Sequence, residues 1–321
     1  MIVKANIKNI HFAAKLIQQG EAVAFPTETV YGLGANALNP KAVVKIFEIK
    51  KRPKFNPLII HIANKESITE FAKHIDERAI ELINKFWPGP LTLVLQKKKI
   101  IPDLVTAGND TVAIRMPNNK IALKLIEFSD CPIAAPCANS FGLLSPTDAL
   151  HVEKQIGERV KLILDGGKSS VGVESTIISF ATKTPVVLRY GGLAIDKIEK
   201  VIGKISTDIS NKAKPNSPGQ LRYHYAPKIP IAFLNQENLK NFADKKIGAL
   251  FFEKNNYDYK FELQKFLSKR GNLDEAAVNF FKMLHELESE NIDVILAEKV
   301  PLHGIGFAIM DRLQRAVNKY L

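Results

Sequence analysis

Ala24-Phe-Pro-Thr-Glu-Thr-Val-Tyr-Gly-Leu-Gly-Ala-Asn-Ala37 admits two readings, and the choice between them decides the fold. Gly32, Gly34 and Ala37 fit the Gly-x-Gly-x-x-Ala fingerprint of a dinucleotide-binding βαβ unit. In that fingerprint the first glycine directly follows the strand. Here Pro26-Thr27-Glu28-Thr29 intervenes, and the proline breaks the extended run Glu21 to Phe25 before the glycines are reached. The segment reads instead as a polar loop leaving a strand end. Thr27 and Thr29 can bond a small polar ligand, and the glycines let backbone come close to it.

Outward from this loop the chain alternates. Upstream, Asn9 to Gln19 has helical periodicity and stops at Gly20. Downstream, Asn39-Pro40 is a cap followed by proline in the first turn, opening a helix that carries Val43, Val44, Ile46 and Phe47 toward Arg52-Pro53. Extended runs follow at 57–62, 91–96, 111–116, 133–135, 161–164, 175–180 and 186–189, with helices between several of them. This pattern predicts an α/β fold with a mixed sheet over residues 1–205. Residues 206–230 are polar and rich in breakers, as an interdomain linker is. Beyond it, runs at 229–234, 247–252 and 292–296 and two amphipathic helices predict a small three-stranded αβα domain over 231–321.

The chain has 321 residues and a formal net charge of +12, which fits a polyanionic partner, nucleotide or RNA, as well as simple solubility. Two cysteines, Cys131 and Cys137, are too few for a disulfide framework and lack zinc spacing. With no apolar N-terminal region and no run near the ~20 residues that cross a bilayer, a cytoplasmic protein is expected.

Asp165-Gly-Gly-Lys-Ser-Ser170 resembles the end of a phosphate-binding P-loop, but the leading glycine is replaced by Leu162, which excludes it. The densest basic cluster is Ile49-Lys-Lys-Arg-Pro-Lys54 at a helix end. It reads as favourable charge at a helix C-terminus or as a phosphate clamp, with Arg52 suited to bidentate contact. His61 sits on a strand nearby, and a strand histidine is more often structural than a ligand. Arg115 and Arg189 each close an apolar strand, where arginines can reach a ligand crevice or pair at the sheet rim. Glu174 precedes Ser175-Thr176, whose hydroxyls can bind ligand or cap a turn. No metal spacing, nucleophile elbow or Cys–His pair is visible.

Taken in order, Phe25-Pro-Thr-Glu-Thr-Val-Tyr-Gly-Leu-Gly34, Ile49-Lys-Lys-Arg-Pro-Lys-Phe-Asn-Pro-Leu58, Phe86-Trp-Pro-Gly-Pro-Leu91, Asp110-Thr-Val-Ala-Ile-Arg-Met-Pro117, Ala134-Ala-Pro-Cys-Ala-Asn139, Leu144-Ser-Pro-Thr147, Gly172-Val-Glu-Ser-Thr176 and Val187-Leu-Arg-Tyr-Gly191 resemble the YrdC-like threonylcarbamoyl-AMP synthases. The linker, with His224-Tyr225, and the small last domain resemble the family's two-domain branch, so the resemblance covers nearly the whole chain. It implies a YrdC-like twisted mixed sheet with a Rossmann-like C-terminal domain. It also implies a nucleotidyltransferase reaction: L-threonine, bicarbonate and ATP, with Mg2+ on the nucleotide, give threonylcarbamoyl-AMP and pyrophosphate. A separate transferase complex then modifies tRNA, and contact with tRNA or other double-stranded RNA is a partner expectation.

By position in the motifs, the resemblance assigns Lys50 and Arg52 to the phosphates as catalytic residues. Asn56, Thr111, Cys137, Asn139, Ser145, Arg189 and Tyr225 go to ATP. Thr29, His61, Arg115, Ala135 and Ser175 go to threonine, with Arg115 on its carboxylate. No protein ligand to a metal is implied, and His224-Tyr225 would close as a lid. Two positions depart from the pattern. Cys137 stands where the family has serine, which weakens or moves to the backbone one nucleotide contact. Asp311-Arg312-Leu313 stands where Asn-Arg-Leu is usual. A purely RNA-binding factor would need the charge but not the pocket residues. A carbamoyl-adenylate enzyme of hydrogenase maturation would carry further domains that this chain lacks.

Overall fold

The computed structural model describes residues 1–209, 215 and 217–321; positions 210–214 and 216 of the expected linker lie outside the described residues. The first sheet is built from β1 (Ile2–Lys4), β2 (Val23–Phe25), β3 (Gly32–Asn36), β4 (Ile59–His61), β5 (Leu91–Gln96), β6 (Thr111–Arg115), β7 (Ile133–Ala134), β8 (Ile163–Asp165), β9 (Thr176–Ser179), β10 (Val186–Arg189) and β11 (Ser206–Thr207). Their spatial order is β1-β8-β2-β3-β7-β4-β6-β5-β9-β10-β11, with parallel and antiparallel pairs interleaved. The expected mixed sheet is present.

The glycine segment differs from its reading. Pro26 to Tyr31 is the loop, but Gly32–Asn36 turns back as a strand antiparallel to β2. Gly34 has no side chain for a packing reason. A Cβ there would lie 2.6 Å from both Ile133 Cγ2 and Phe25 Cε1. Packing thus accounts for Gly34, while Gly32 borders the cavity described below.

Period-two alternation sorts the central strands. Ile60, Leu93 and Ile114 face the main apolar core with Ile46, Leu82 and Trp87. Ile59 and Ala113 face the other side, with Val94, Ile177 and Leu188. His61 and Arg115 follow two residues after Ile59 and Ala113, so they share that second face. The register then lines them up, His61 opposite Arg115 and Arg115 opposite Thr92. Thr92 lies opposite Ile177, so Ser175, two residues before it, is on the same face and meets the Thr92 hydroxyl at 2.7 Å.

The helix Pro40–Lys50 starts where expected, with Asn39 Oδ1 accepting from the Lys41 and Ala42 amides at 3.0 and 3.3 Å. It ends on Lys51 in the left-handed region at φ 52°.

The second sheet holds β12 (Ile231–Phe233), β13 (Ile247–Phe251), β14 (Leu263–Phe266) and β15 (Val294–Ala297), all parallel in the order β12-β15-β13-β14. The small αβα unit thus gains β14 beyond the three strands expected. Helices Leu273–Glu288 and Gly306–Val317 cover it, and Phe280, Phe281, Leu284, Ile309 and Leu313 are buried between. Truncating either phenylalanine to alanine costs about 3–5 kcal/mol. The same apolar cluster takes in Val30, Leu144, Val173 and Tyr225 from outside the small domain. The two units therefore share packing. Among the described residues, no helix is long and apolar enough to cross a membrane.

Candidate active site

A tight cavity of about 40 Å³ opens on the second face of the large sheet. Its walls come from eight places in the chain: the β2–β3 loop (Thr27, Thr29), the end of the Pro40–Lys50 helix (Lys50, Arg52), β4 (His61), β6 (Arg115), the segment after β7 (Ala135, Cys137, Asn139), the residues just before β9 (Glu174, Ser175), the end of β10 (Arg189), and the linker (Pro218, Gly219, His224, Tyr225). Burial of this many polar side chains is costly unless each is paired or awaits a ligand.

Lys50 turns inward from the last turn of its helix and is 2% exposed. Its ammonium donates to the Cys137 carbonyl at 2.6 Å, to Asn139 Oδ1 at 3.1 Å and to the Asn139 carbonyl. Burial, then the charge of Arg52, pushes it down to about 7. The oxygens around it favour the ammonium, and so does any phosphate placed there. Arg52 Nε donates to the Asn56 carbonyl at 3.2 Å and Nη2 to the Pro57 carbonyl at 2.8 Å. Burial lowers Arg52 to about 10, still cationic at neutral pH.

Arg115 lies 2.7 Å from Glu28 Oε1. The contact is close but not directed, since both Glu28 oxygens and Arg115 Nη2 lack an aligned hydrogen-bond partner. Arg115 Nε is held by the Gly89 carbonyl at 3.3 Å, which leaves Nη2 as the atom free to meet a ligand carboxylate. His61 is pushed down to about 3 by burial and then by Arg115, so it is neutral, and its Nδ1 is buried with no partner. Thr27 and Thr29 share a hydroxyl contact of 2.9 Å, and Thr92 and Ser175 share one of 2.7 Å. Arg189 donates to the Ser175 carbonyl and to Ser175 Oγ, each at 3.0 Å.

Cys137 meets the cavity through both its backbone and its thiol. Its backbone carbonyl carries the contact to Lys50, whatever the side chain. The thiol faces Glu174 Oε1 at 3.8 Å, and burial followed by that carboxylate pushes it up, so it stays protonated. Glu174 would be raised by burial, but Arg312, then Arg189 and the Ser145 hydroxyl, hold it below its ordinary value.

Of the residues expected at a site, the cavity brings together Lys50, Arg52, Cys137, Asn139, Arg189, Tyr225, Thr29, His61, Arg115, Ala135 and Ser175. Ser145 stands just behind, donating to Glu174 at 2.5 Å, and Asn56 supports Arg52, with its own Oδ1 buried and unpartnered. Thr111 is the exception. It begins the strand that Arg115 ends, and it borders a separate surface groove with Lys73, Gln96 and Asp110. The pairing of Glu28 with Arg115, and of Arg312 with Glu174, is not visible in the residue pattern, although Arg312 stands in a noted motif. The partners are distant in the chain, and periodicity carries no such signal.

Linker residues roof the cavity. Tyr225 is 2% exposed with φ 62°, and its ring lies 4.3 Å from that of His224. Gly219, at φ 97°, rests on Arg189, whose Cδ would be 2.7 Å from an added Cβ.

Such a site, with Lys50, Arg52, Arg115 and Arg189 buried around a neutral His61, has the chemistry of an α/β enzyme pocket for anionic ligands. The comparisons narrow it. A family model of the Sua5, YciO and YrdC proteins, described as "Telomere recombination", matches residues 15–191, and a model described as "Threonylcarbamoyl-AMP synthase, C-terminal domain" matches 193–317. A threonylcarbamoyl-AMP synthase of Pyrococcus abyssi is 45% identical over 96% of this chain and 93% of its own. One of Bacillus subtilis is 42% identical over 98% and 94%. The crystal structure of P. abyssi Sua5 complexed with L-threonine superposes with a TM-score of 0.92 at 43% identity, covering 99% of this chain and 97% of that one. The chain belongs to the Sua5/YciO/YrdC family, in its two-domain form.

Proposed function

We propose that this chain is a threonylcarbamoyl-AMP synthase, joining L-threonine, bicarbonate and ATP into threonylcarbamoyl-AMP with release of pyrophosphate. The observation that carries the reading is the convergence of Lys50, Arg52, Arg115 and Arg189 on one cavity, in a chain whose near-full-length relatives bear that name. Threonine's amine and bicarbonate condense to an N-carboxylate and water. A carbamate oxygen then attacks the α-phosphorus, and the bond to the bridging oxygen breaks as pyrophosphate leaves. Two anions must be forced together, so catalysis consists of positioning and charge neutralisation rather than protein nucleophilicity.

In this reading Arg115 takes the threonine carboxylate, while His61, Thr29, Ser175 and the backbone about Ala135 shape its pocket. Lys50 and Arg52 take the phosphates, and Asn139, Ser145 and Arg189 support the nucleotide. Tyr225 and His224 exclude water from above. Thr111 has no place in this arrangement, because it borders a different groove.

Magnesium fits only as a companion of the nucleotide. The cavity is lined by a single carboxylate, Glu174, which is already engaged by Ser145 and Arg312. Among the described residues no group of three His, Cys, Asp or Glu could hold a metal. Phosphate oxygens and water are the donors a hard cation prefers, and bound there it neutralises phosphate charge. Delivery of the product to a tRNA transferase complex in the cytoplasm belongs to the same proposal.

The test is pyrophosphate release by the full chain. It is expected only when ATP, threonine and bicarbonate are all present. Release that ignores threonine would show a different adenylation or plain ATP hydrolysis.

A further inference from the structure

Arg312 belongs to the helix Gly306–Val317 of the small domain, yet it is fully buried. Its Nε donates to Glu174 Oε2 at 2.9 Å, and its Nη1 to the Tyr190 carbonyl at 2.5 Å. Asp311, the residue that departs from the family's asparagine, holds Arg312 Nη1 at 3.3 Å and Arg315 Nε at 3.0 Å. Arg312 Nη2 has no hydrogen-bond acceptor. The guanidinium carbon instead lies 5.3 Å from the centroid of the Tyr225 ring, a cation–π distance.

Glu174 and Tyr225 are both cavity walls, whereas no residue of the small domain lines the cavity. One side chain therefore grips two walls from behind. The same end of the chain also ties down the rest of the roof. Arg315 donates to the Leu221 carbonyl, Asn318 to the Arg222 carbonyl at 3.1 Å, and Tyr320 to the Pro227 carbonyl at 2.6 Å. Tyr225 needs such support, since a left-handed backbone is unfavourable for a bulky residue and persists only where its surroundings fix it.

We infer that Arg312 is a positioning residue for the adenylation pocket, acting through Glu174 and Tyr225, so that the small domain sets the shape of a cavity it does not line. The inference rests on the synthase reading for its assay. Facing Glu174 are Arg312 from the last helix, Arg189 from β10, and Ser145, Cys137 and Tyr225 from the loops. Removing Arg312 leaves the buried carboxylate opposed by Arg189 and the Ser145 hydroxyl, and its proton affinity rises.

The experiment measures pyrophosphate release between about pH 6 and 9 for the unaltered full chain, Arg312→Met, Glu174→Gln and the double variant. Arg312→Met is expected to lose roughly tenfold or more in kcat, with a smaller change in KM for threonine. Its rate should fall further as pH is lowered, an acid limb that the unaltered protein lacks and that disappears in the double variant. A rate equal to that of the unaltered protein overturns the inference. So does a loss by the same factor at every pH that Glu174→Gln leaves unchanged, because Arg312 would then only dock the domain. Should Arg312→Met not fold, the profile is read on Arg312→Lys, whose ammonium cannot serve Glu174 and Tyr190 with the same fork. A weaker acid limb supports the inference and its absence refutes it. If the unaltered chain releases no pyrophosphate, the synthase reading itself has failed, and the same variants are compared by binding of ATP alone. Arg312→Met should then weaken ATP binding more at low pH, and equal binding at all pH values refutes the positioning role.

Discussion

The two sheets of this molecule end in opposite ways. The small sheet is wholly parallel, the arrangement whose C-terminal strand ends usually offer a ligand crevice. Those ends are closed by its own side chains. Glu298 Oε2 accepts from the Phe252 amide at 2.8 Å, Ser268 donates to Glu275 at 2.7 Å, and Asn279 donates to the Leu267 carbonyl at 2.8 Å. The large sheet mixes directions and gathers His61, Arg115, Ser175 and Arg189 at one end, with polar atoms such as His61 Nδ1 left without a partner among the described residues. Sheet topology alone points to the small domain, whereas unsatisfied buried polar atoms point to the large one.

The largest effect that tests this contrast is expected at the phosphate end. Arg52→Ala should lower turnover by about 10³-fold or more, the scale of removing an arginine from a reacting phosphate, with unchanged circular dichroism. Near-normal turnover would take the clamp out of the large sheet's cavity.

An intermediate effect lies where the two units meet. His285 of the small domain stacks on His151 at 3.9 Å and bonds the Ser145 carbonyl at 3.1 Å. Burial, then His151, pushes His285 down to about 3 from its ordinary 6.5. The unfolded chain takes up this proton below pH 6.5 and the folded chain does not. The stability this group contributes is therefore present above 6.5 and is lost as pH falls toward about 3. Urea midpoints measured across that window should fall with pH. His285→Gln should flatten the slope by up to about 1.4 kcal/mol per pH unit. An unaltered slope would mean that the stack is not a neutral contact between the units.

The smallest effect is expected at the closed ends of the small sheet. Arg270→Ala, at an exposed pair with Glu275 beyond β14, should leave kcat and KM unchanged and shift stability by no more than about 0.5 kcal/mol. A clear loss of ATP-dependent turnover would show that the second sheet does carry chemistry.

Local patterns made much of this legible. Asn39-Pro40 announced its helix, and strands ending in Arg115 and Arg189 announced a crevice, because caps and alternation are properties of neighbouring residues. β14 was not legible. Leu263-Gln-Lys-Phe266 is an edge strand with no fully buried residue, so it lacks the apolar run that marks a strand. Thr111 shows the limit of motif position. It is near Arg115 in sequence, but a strand of five residues carries the two to different ends. The pairs Glu28–Arg115 and Glu174–Arg312 depend on how distant segments meet, which neither spacing nor composition encodes.

The bond between Glu174 and Arg312 also has a meaning in time. A polypeptide is made from its N-terminus, and 138 residues separate the acid from its partner. While the chain is growing, the large unit can assemble its sheet and place Glu174 in the interior, but the cation that neutralises it has not yet been synthesised. The pairing that neutralises Glu174 is thus completed only once the last helix exists. A chain interrupted before the final helix would lack both this cation and the apolar face that Ile309 and Leu313 bring to the shared core.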